Sequence, residues 1–431
     1  MLIKPVMLKK ISTNVAVALS CLSLWACAAN ADNPNTSLNT KNPYAHNGKI
    51  PLALTVPLTT DNTPRTEIPY MENAENWDEF VAFLIAQAKA QGFDQQVLNQ
   101  LKTLTFNPRV VRADRNQYER ITERNKSTSK DTSKDTTATQ PAKPLTPKEA
   151  SLMRNYLNMH ISQAKVNRAV ALLKNYKPVL DKISAKYGVP SEVIVGLWGM
   201  ESNFGRTQGS YNLLDTLASL AYEGRRRVYF TREFFNALRV MEINGFNKDD
   251  MKSSWAGAVG QIQFMPTSYL TYGADGNDDG VINIWLSVID SFASIANYLH
   301  KEGWNKDLPW GIKVDMSFAD YLGKYKDYIG ITKESRTLSE WKKLGIVTSA
   351  NQPYMVNADK IKANTQFWLV VPVNEPKQAY LVSNNFKVYM HWNRSVYFAY
   401  ANGTFANLIN QTYHNDVSIA PQEAPVNNAK Q

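Results

Sequence analysis

From Trp77 to about Tyr328 the apolar residues recur at intervals of three and four, and that period commits most of the chain to packed amphipathic helices. Trp77, Phe80, Val81, Leu84, Ile85 and Ala88 set the pattern, and Gly92 marks its first stop. Phe93 to Leu104 continues as a second short helix, and Leu152 to Tyr187 reads as two more. Thr146-Pro147-Lys148-Glu149 suits a capped start, with Thr146 as cap and Pro147 at the first helical position. Beyond Asn364 the composition turns β-prone. The run from Phe367 to Val371 predicts a short strand or two, followed by a last helix near Tyr397 to Ile409. The fold class expected is therefore mainly α, with a helical N-terminal part and a small mixed C-terminal segment.

Several stretches lack that period. Residues 1–31 read as an export signal: Lys4, Lys9 and Lys10 precede an apolar run, Ile11 to Ala26, that is short for a membrane span. Two exits from it compete. Ala29-Asn30-Ala31 is an A-x-A cleavage site, whereas Leu24-Trp25-Ala26-Cys27 resembles a lipobox in which Cys27 would be lipidated. Either exit takes the protein out of the cytoplasm, to the periplasm or to an outer-membrane anchor facing it. Residues 32–70, rich in Asn, Thr and Pro, read as a tether, and 71–124 as the N-terminal helical part. A low-complexity insertion is expected at 125–146, a catalytic domain at 147–412, and a disordered tail at 413–431.

Both cysteines, Cys21 and Cys27, fall inside the signal. The exported chain thus has no disulfide, thiol nucleophile or thiolate metal site to offer. The formal charge is +10, or +7 once the three signal lysines are gone (45 Lys+Arg against 38 Asp+Glu). Basicity attracts polyanions, but an exported protein meets anionic wall and lipid, not nucleic acid. Ten Trp and 21 Tyr suit a core and equally suit a cleft that stacks on sugar rings.

One acid stands out. In Val189 to Gly205, the residues Ile194, Leu197, Trp198 and Glu201 share a helix face, so a carboxyl group sits on a stripe that otherwise faces the core. Desolvation should raise its pKa and make it a proton donor near neutral pH. Lysozyme shows the same pattern, with an acid held against a Trp as the proton donor. Gly205 is expected to end the helix and leave Glu201 open to a cleft. From this helix alone, a Glu paired with a nearby arginine reads equally well.

Further segments tilt the balance: Glu201-Ser-Asn-Phe-Gly205, Leu213 to Leu220, Arg225-Arg-Arg-Val-Tyr-Phe230, Ser254 to Tyr269 with its Gly-Gln-Ile-Gln-Phe-Met-Pro core, Asp275 to Trp285, and Ala296-Asn-Tyr298. In order and spacing, over roughly residues 70 to 410, they resemble the lytic murein transglycosylase B family of peptidoglycan-cleaving enzymes. Departures are Phe204 in place of a common Trp, Arg227-Val228 in place of a small-acidic pair, and the low-complexity insertion. The resemblance implies a lysozyme-like α+β core with Glu201 as the single catalytic acid/base. It implies that Ser254, Gln263 and Tyr298 line a glycan groove and that Arg225 and Arg226 face peptide stems. Trp392-Asn-Arg-Ser395 resembles a Tyr-Asn-x-Ser segment that closes the cleft, with Trp392 for the Tyr. For each, packing or a solvated surface position remains the plainer alternative.

Glycosidases that hydrolyse normally carry two carboxylates, and no second one is visible on the Glu201 face. The resemblance implies cleavage between N-acetylmuramic acid and N-acetylglucosamine, with the muramyl C6 hydroxyl attacking C1 and no cofactor needed for catalysis. A hydrolytic muramidase and a non-catalytic wall-binding protein are the alternatives. Separately, Asp275, Asn277 and Asp279 stand at positions one, three and five of an EF-hand-like loop, with Gly280 at six and the Val281 carbonyl at seven. Position twelve is Leu286, so Asp290 is the expected substitute for the usual Glu in a structural calcium site. An Asp/Gly turn without an ion is the other reading.

Overall fold

The computed structural model describes residues 76–130, 155–317, 320–321, 323–350, 352, 360–371 and 379–419. The export signal, the tether, Cys27 and the Thr146 cap lie outside the described residues. Helix α1 (Trp77–Ala90) starts where the Asn76 side chain accepts from the Glu79 amide, and it buries Phe80, Leu84 and Ala88. Helix α2 (Gln95–Leu101) is shorter than the expected Phe93–Leu104, because Asp94 caps it. Helix α3 (Pro108–Lys130) overruns the expected insertion boundary at 125. Once nucleated, a helix adds one bond per residue fixed, so polar residues with little hydrophobic signal can continue it.

Between Leu152 and Tyr187 the chain forms three helical pieces, not two: residues 155–160, α4 (Gln163–Asn175) and α5 (Lys177–Tyr187). Ser162 caps α4 by accepting from the Lys165 amide, and Pro178 in the first turn of α5 sets the second break. Then come α6 (Ser191–Ser202), β1 (Tyr211–Asn212), α7 (Leu213–Glu223), α8 (Arg227–Asn244), β2 (Lys252–Ser253), α9 (Pro266–Tyr272) and α10 (Val288–Lys301).

The C-terminal part adds β3 (Gly311–Asp315), α11 (Leu338–Lys343), β4 (Val347–Thr348), β5 (Trp368–Val370) and β6 (Tyr380–Val382). These strands make an antiparallel sheet in the order β4-β3-β6-β5. Strand β3 lies inside the region read as helical, since five residues carry too little alternation to compete with flanking helical periods. Helix α12 (Asn384–Trp392), capped by Ser383, was not expected. Helix α13 (Val396–Ile419) runs past the expected tail boundary at 413, where half-buried Tyr413 still packs on the core.

One continuous core extends from Phe80 in α1 to Ile409 in α13, and a smaller one beneath the sheet gathers around Trp341, Phe367 and Leu381. Helix α6 is the hub. Val193, Ile194, Val195, Leu197 and Trp198 are all buried, so it is apolar on every side and not along one stripe. Gly199 lets Phe204 and α13 approach closely: a Cβ there would stand 2.6 Å from the Phe204 ring and 3.0 Å from that of Phe405.

Candidate active site

Glu201 occupies the last turn of α6. The helix stops at Ser202, three residues before the expected stop at Gly205, because Asn203 and Phe204 already adopt left-handed backbone at φ 52° and 60°. Ser202 Oγ accepts from the Gly205 amide at 2.9 Å and locks the turn. The acid is thereby fixed at the edge of the core, half-buried, on a helix whose other faces are packed.

Its surroundings are largely apolar. Burial pushes the Glu201 carboxyl up to about 8, against two weaker opposing influences, the Trp392 hydrogen bond and the charge of Lys165. Trp392 Nε1 donates to Glu201 Oε1 at 2.9 Å. Lys165, in the first turn of α4, is itself brought down to about 8 by burial, with Glu201 pulling it back up. Burial raises the Tyr156 phenol, and Glu201 adds to the effect. His160, its ring 4.4 Å from that of Tyr156, is lowered to about 4 by burial and by Lys165. At neutral pH Glu201 therefore keeps its proton, which a general acid requires. No Asp or Glu among the described residues acts on it electrostatically.

Lys165 and Tyr156 were missed in the sequence, although Lys165 carried a signal. A cation in the first helical turn opposes the helix dipole, so a half-buried lysine there calls for a nearby negative partner.

Of the expected residues, the structure brings Trp392 to Glu201 and packs Tyr298 edge-on against it. The Tyr298 and Trp392 rings lie 4.7 Å apart and the Phe264 and Trp392 rings 5.2 Å apart, all three buried. Trp392 thus meets the acid through its indole N–H, while its ring packs against Tyr298 and Phe264. Ser254 and Gln263 belong to the turns that carry the Gly-Gln-Ile-Gln segment. Ser254 Oγ accepts from the Ala256 and Ala258 amides at 3.3 and 3.1 Å. Gln263, at φ 52°, donates to the Gln208 and Gly260 carbonyls at 3.2 and 2.9 Å. Gln261, not singled out in the sequence, ties this segment to the acid's helix by accepting from Trp198 Nε1 at 2.9 Å. Arg225 forms a bidentate pair with buried Asp114. Arg226 lies over Tyr229, 4.1 Å from its centroid, and shares a small cavity with Trp255 and Ala256.

In the acidic loop, Asp275 accepts from the Asp279 and Gly280 amides at 3.3 and 2.7 Å, with Asp278 and Gly280 in left-handed backbone. This compact turn presents Asp275, Asn277 and Asp279 together, but the Asn277 amide donates to Asp279 at 2.8 Å. Buried Asp290 directs both oxygens at backbone: it accepts from Gly276 at 3.0 Å and Asn283 at 2.8 Å. Among the described residues no three His, Cys, Asp or Glu side chains cluster as a metal cage. The first half of the loop gathers the oxygen-bearing side chains of Asp275, Asn277 and Asp279. Asp290 is a loop closer, though each carboxylate oxygen keeps a second lone pair.

With the acid's geometry in place, comparison with known proteins is decisive. Residues 76–407 match the transglycosylase SLT domain family. The chain belongs to that family. Over 169 residues it is 36% identical to the membrane-bound lytic murein transglycosylase B of Escherichia coli (strain K12). That alignment covers 39% of this chain and 46% of the relative, so the chain spans about half the length of the curated relative it matches. The fold is similar to that of SltB3 from Pseudomonas aeruginosa, solved in complex with NAG-NAM-pentapeptide, with a TM-score of 0.63 and 29% identity over 78% of this chain and 80% of that one. It is also similar to the lytic transglycosylase Slt35 of Escherichia coli, solved in complex with calcium, with a TM-score of 0.59 and 25% identity over 79% and 95% of the two chains. The mainly helical, lysozyme-like class expected from the sequence is the fold observed in this SLT-domain protein.

Proposed function

We propose that this protein is a lytic transglycosylase that cleaves the β-1,4 bond between N-acetylmuramic acid and N-acetylglucosamine in peptidoglycan, with Glu201 as its acid and base. The observation that carries the reading is a carboxyl held protonated near pH 7, hydrogen-bonded by Trp392, with no second carboxylate among the described residues acting on it. Family membership and the glycan-peptide complex of the SltB3 relative support it. Glu201 gives its proton to the glycosidic oxygen, and the C1–O bond breaks. The muramyl acetamide carbonyl stabilises the sugar cation at C1. Glu201, now a carboxylate, accepts the proton of the C6 hydroxyl as that oxygen bonds to C1, which closes a 1,6-anhydro ring and consumes no water. Lys165 and the Trp392 N–H favour the transient carboxylate, while the apolar surround returns it to the acid form.

In this proposal Ser254 and Gln263 shape the groove beside Glu201, Tyr298 backs Trp392, and Arg226 faces the anionic peptide stems. Arg225, paired with Asp114, supports that face by packing. The Asp275–Asp290 loop takes a structural calcium ion through Asp275, Asn277, Asp279 and the Val281 carbonyl, with Asp290 closing the loop; the calcium complex of the Slt35 relative supports this. The enzyme works in the periplasm, and lipidation of Cys27 would anchor it to the outer membrane as an alternative to cleavage after Ala31. The membrane-bound name of the E. coli relative supports that placement.

Mass spectrometry of soluble muropeptides released from purified sacculi, comparing wild type with Glu201→Gln, tests the reading. Anhydromuropeptides from the wild type alone are expected. Reducing ends, heavier by one water, would make the protein a muramidase. No release by either would leave a wall-binding protein.

A further inference from the structure

Three helices end together at Glu302, a junction linked to Trp392 along the chain and through its ring contacts. Tyr272 is the last residue of α9, Glu302 caps the C-terminus of α10, and His391 lies in the last turn of α12, one residue before Trp392. The Tyr272 hydroxyl donates to Glu302 Oε1, and His391 Nδ1 lies 2.8 Å from Glu302 Oε2. Each carboxylate oxygen thus holds a side chain from a different helix.

A carboxylate at a helix C-terminus opposes the helix dipole. Burial, too, would raise its pKa, yet the bonds from His391 and Tyr272 and the charge of His391 keep Glu302 below the usual carboxylate range. The group is held ionised against two unfavourable influences, so its two partners are what maintain it there. Asn297 reinforces the junction by donating to the Tyr272 carbonyl at 2.8 Å.

The aromatic rings close a circuit. Tyr272 and Tyr298 have centroids 4.3 Å apart, and Tyr298 and Trp392 are 4.7 Å apart. From Trp392 the chain of contacts runs through Tyr298, Tyr272, Glu302 and His391, then back to Trp392 through one peptide bond. A side chain packed against by neighbouring rings and held at its backbone has little freedom to rotate. Trp392 projects its indole N–H from this circuit onto Glu201.

We propose that Glu302 is a positioning residue of the active site: by tying Tyr272 to His391 it closes a brace that holds the indole N–H of Trp392 on the Glu201 carboxyl. The influences on the Glu201 carboxyl come from burial, Trp392 and Lys165, not from Glu302, Tyr272 or His391. The proposal rests on the reading of Glu201 as the acid/base for its effect on rate, and on geometry alone for its effect on Trp392.

The test uses the exported chain labelled with 15N-tryptophan. The Trp392 indole resonance is assigned by its loss in Trp392→Phe, and its dependence on Glu201 is established with Glu201→Gln. Glu302→Ala should shift and broaden that resonance. It should also lower kcat for anhydromuropeptide release about tenfold, with KM within about twofold of wild type, as expected for a misplaced group that acts in the transition state. Glu302→Gln, whose carbonyl can accept from Tyr272 and whose amide can donate to His391 Nδ1 once that ring is neutral with its proton on Nε2, should restore both. An indole resonance unchanged in Glu302→Ala, with only the melting temperature lowered, would overturn the proposal and make the junction a fold support. If Glu302→Ala fails to fold, His391→Ala breaks the same brace from its exposed end and is read identically. A shifted resonance in a protein that releases no muropeptides would uphold the brace and overturn the enzymatic reading.

Discussion

Glu201, half-buried, and Asp290, fully buried, are both acids whose pKa is raised above the usual carboxylate range, chiefly by desolvation, but they are built in opposite ways. Asp290 accepts chiefly from two backbone amides, Gly276 and Asn283, with a weaker side-chain bond from Ser287, which also caps its own amide. Glu201 accepts from one side chain, Trp392, and meets one partly desolvated cation, Lys165. Fixed backbone donors suit a carboxylate that stays in one state. A single side-chain donor leaves the other oxygen without a donor among the described residues, and a proton on that oxygen can leave and return. Donor type separates the structural acid from the catalytic one more sharply than burial does.

Exchanging the two roles should expose that difference. Glu201→Gln should lower muropeptide release by about 10²- to 10⁴-fold, the usual contribution of general acid–base catalysis. The same substitution should stabilise the fold above neutrality. The folded-state pKa of about 8 exceeds that of the unfolded chain, so the native state binds the extra proton between the two values and loses stability as pH rises through that window. Removing the group removes that loss, and a gain of up to about 4 kcal/mol at pH 8, fading near pH 4, is expected from denaturant titrations. A Glu201→Gln protein no more stable than wild type at pH 8 would mean that the acid is solvated and its pKa ordinary.

Asp290→Ala should do the reverse. It orphans the Gly276 and Asn283 amides, at a cost of about 2–4 kcal/mol in unfolding free energy. Activity per folded molecule should stay within a few fold, since Asp290 has no contact with Glu201. If Asp290→Ala were stable yet inactive, the loop would have a part in catalysis that the geometry does not provide. The same loop gives a milder test by titration. Calcium at a hundredfold excess over its dissociation constant should stabilise the native state by about 2.7 kcal/mol, and Asp275→Ala should abolish the gain. A melting temperature indifferent to calcium would leave an Asp/Gly turn.

How much of this was legible in the sequence follows from range. Glu201 was legible because its apolar neighbours sit three, four and seven residues away on one helix. The Asp275–Asp279 spacing was equally local. What Asp290 and Trp392 do was not, since their partners are set by tertiary packing: Trp392 reaches Glu201 across 191 positions. The Tyr298 and Arg225 roles suggested by resemblance met packing partners, Trp392 and Asp114, that no motif encodes. Strand β3 and helix α12 escaped for a different reason. Each is short, and its form depends on neighbours, β6 for the strand and the Ser383 cap for the helix.

The smallest expected effect is the most specific. Trp392→Phe keeps a ring against Tyr298 and Phe264 and removes only the N–H that reaches Glu201. That bond favours the charged carboxyl, so its loss should raise the Glu201 pKa further above 8. The proton-donating form would then persist to higher pH, and the alkaline fall of kcat/KM should move upward by a fraction of a pH unit. The second half of the reaction needs the carboxylate, now less stabilised, so kcat near neutrality should drop by about three- to tenfold, the net worth of one ordinary hydrogen bond. Lys165→Met should move the alkaline limb in the same direction, because it removes the other influence favouring the charge. Two variants on different helices that shift the limb alike, while Asp290→Ala leaves it in place, would tie the pH dependence to Glu201 and to no other buried acid. A limb that stays fixed in both variants would assign it to another group and detach Trp392 from the chemistry.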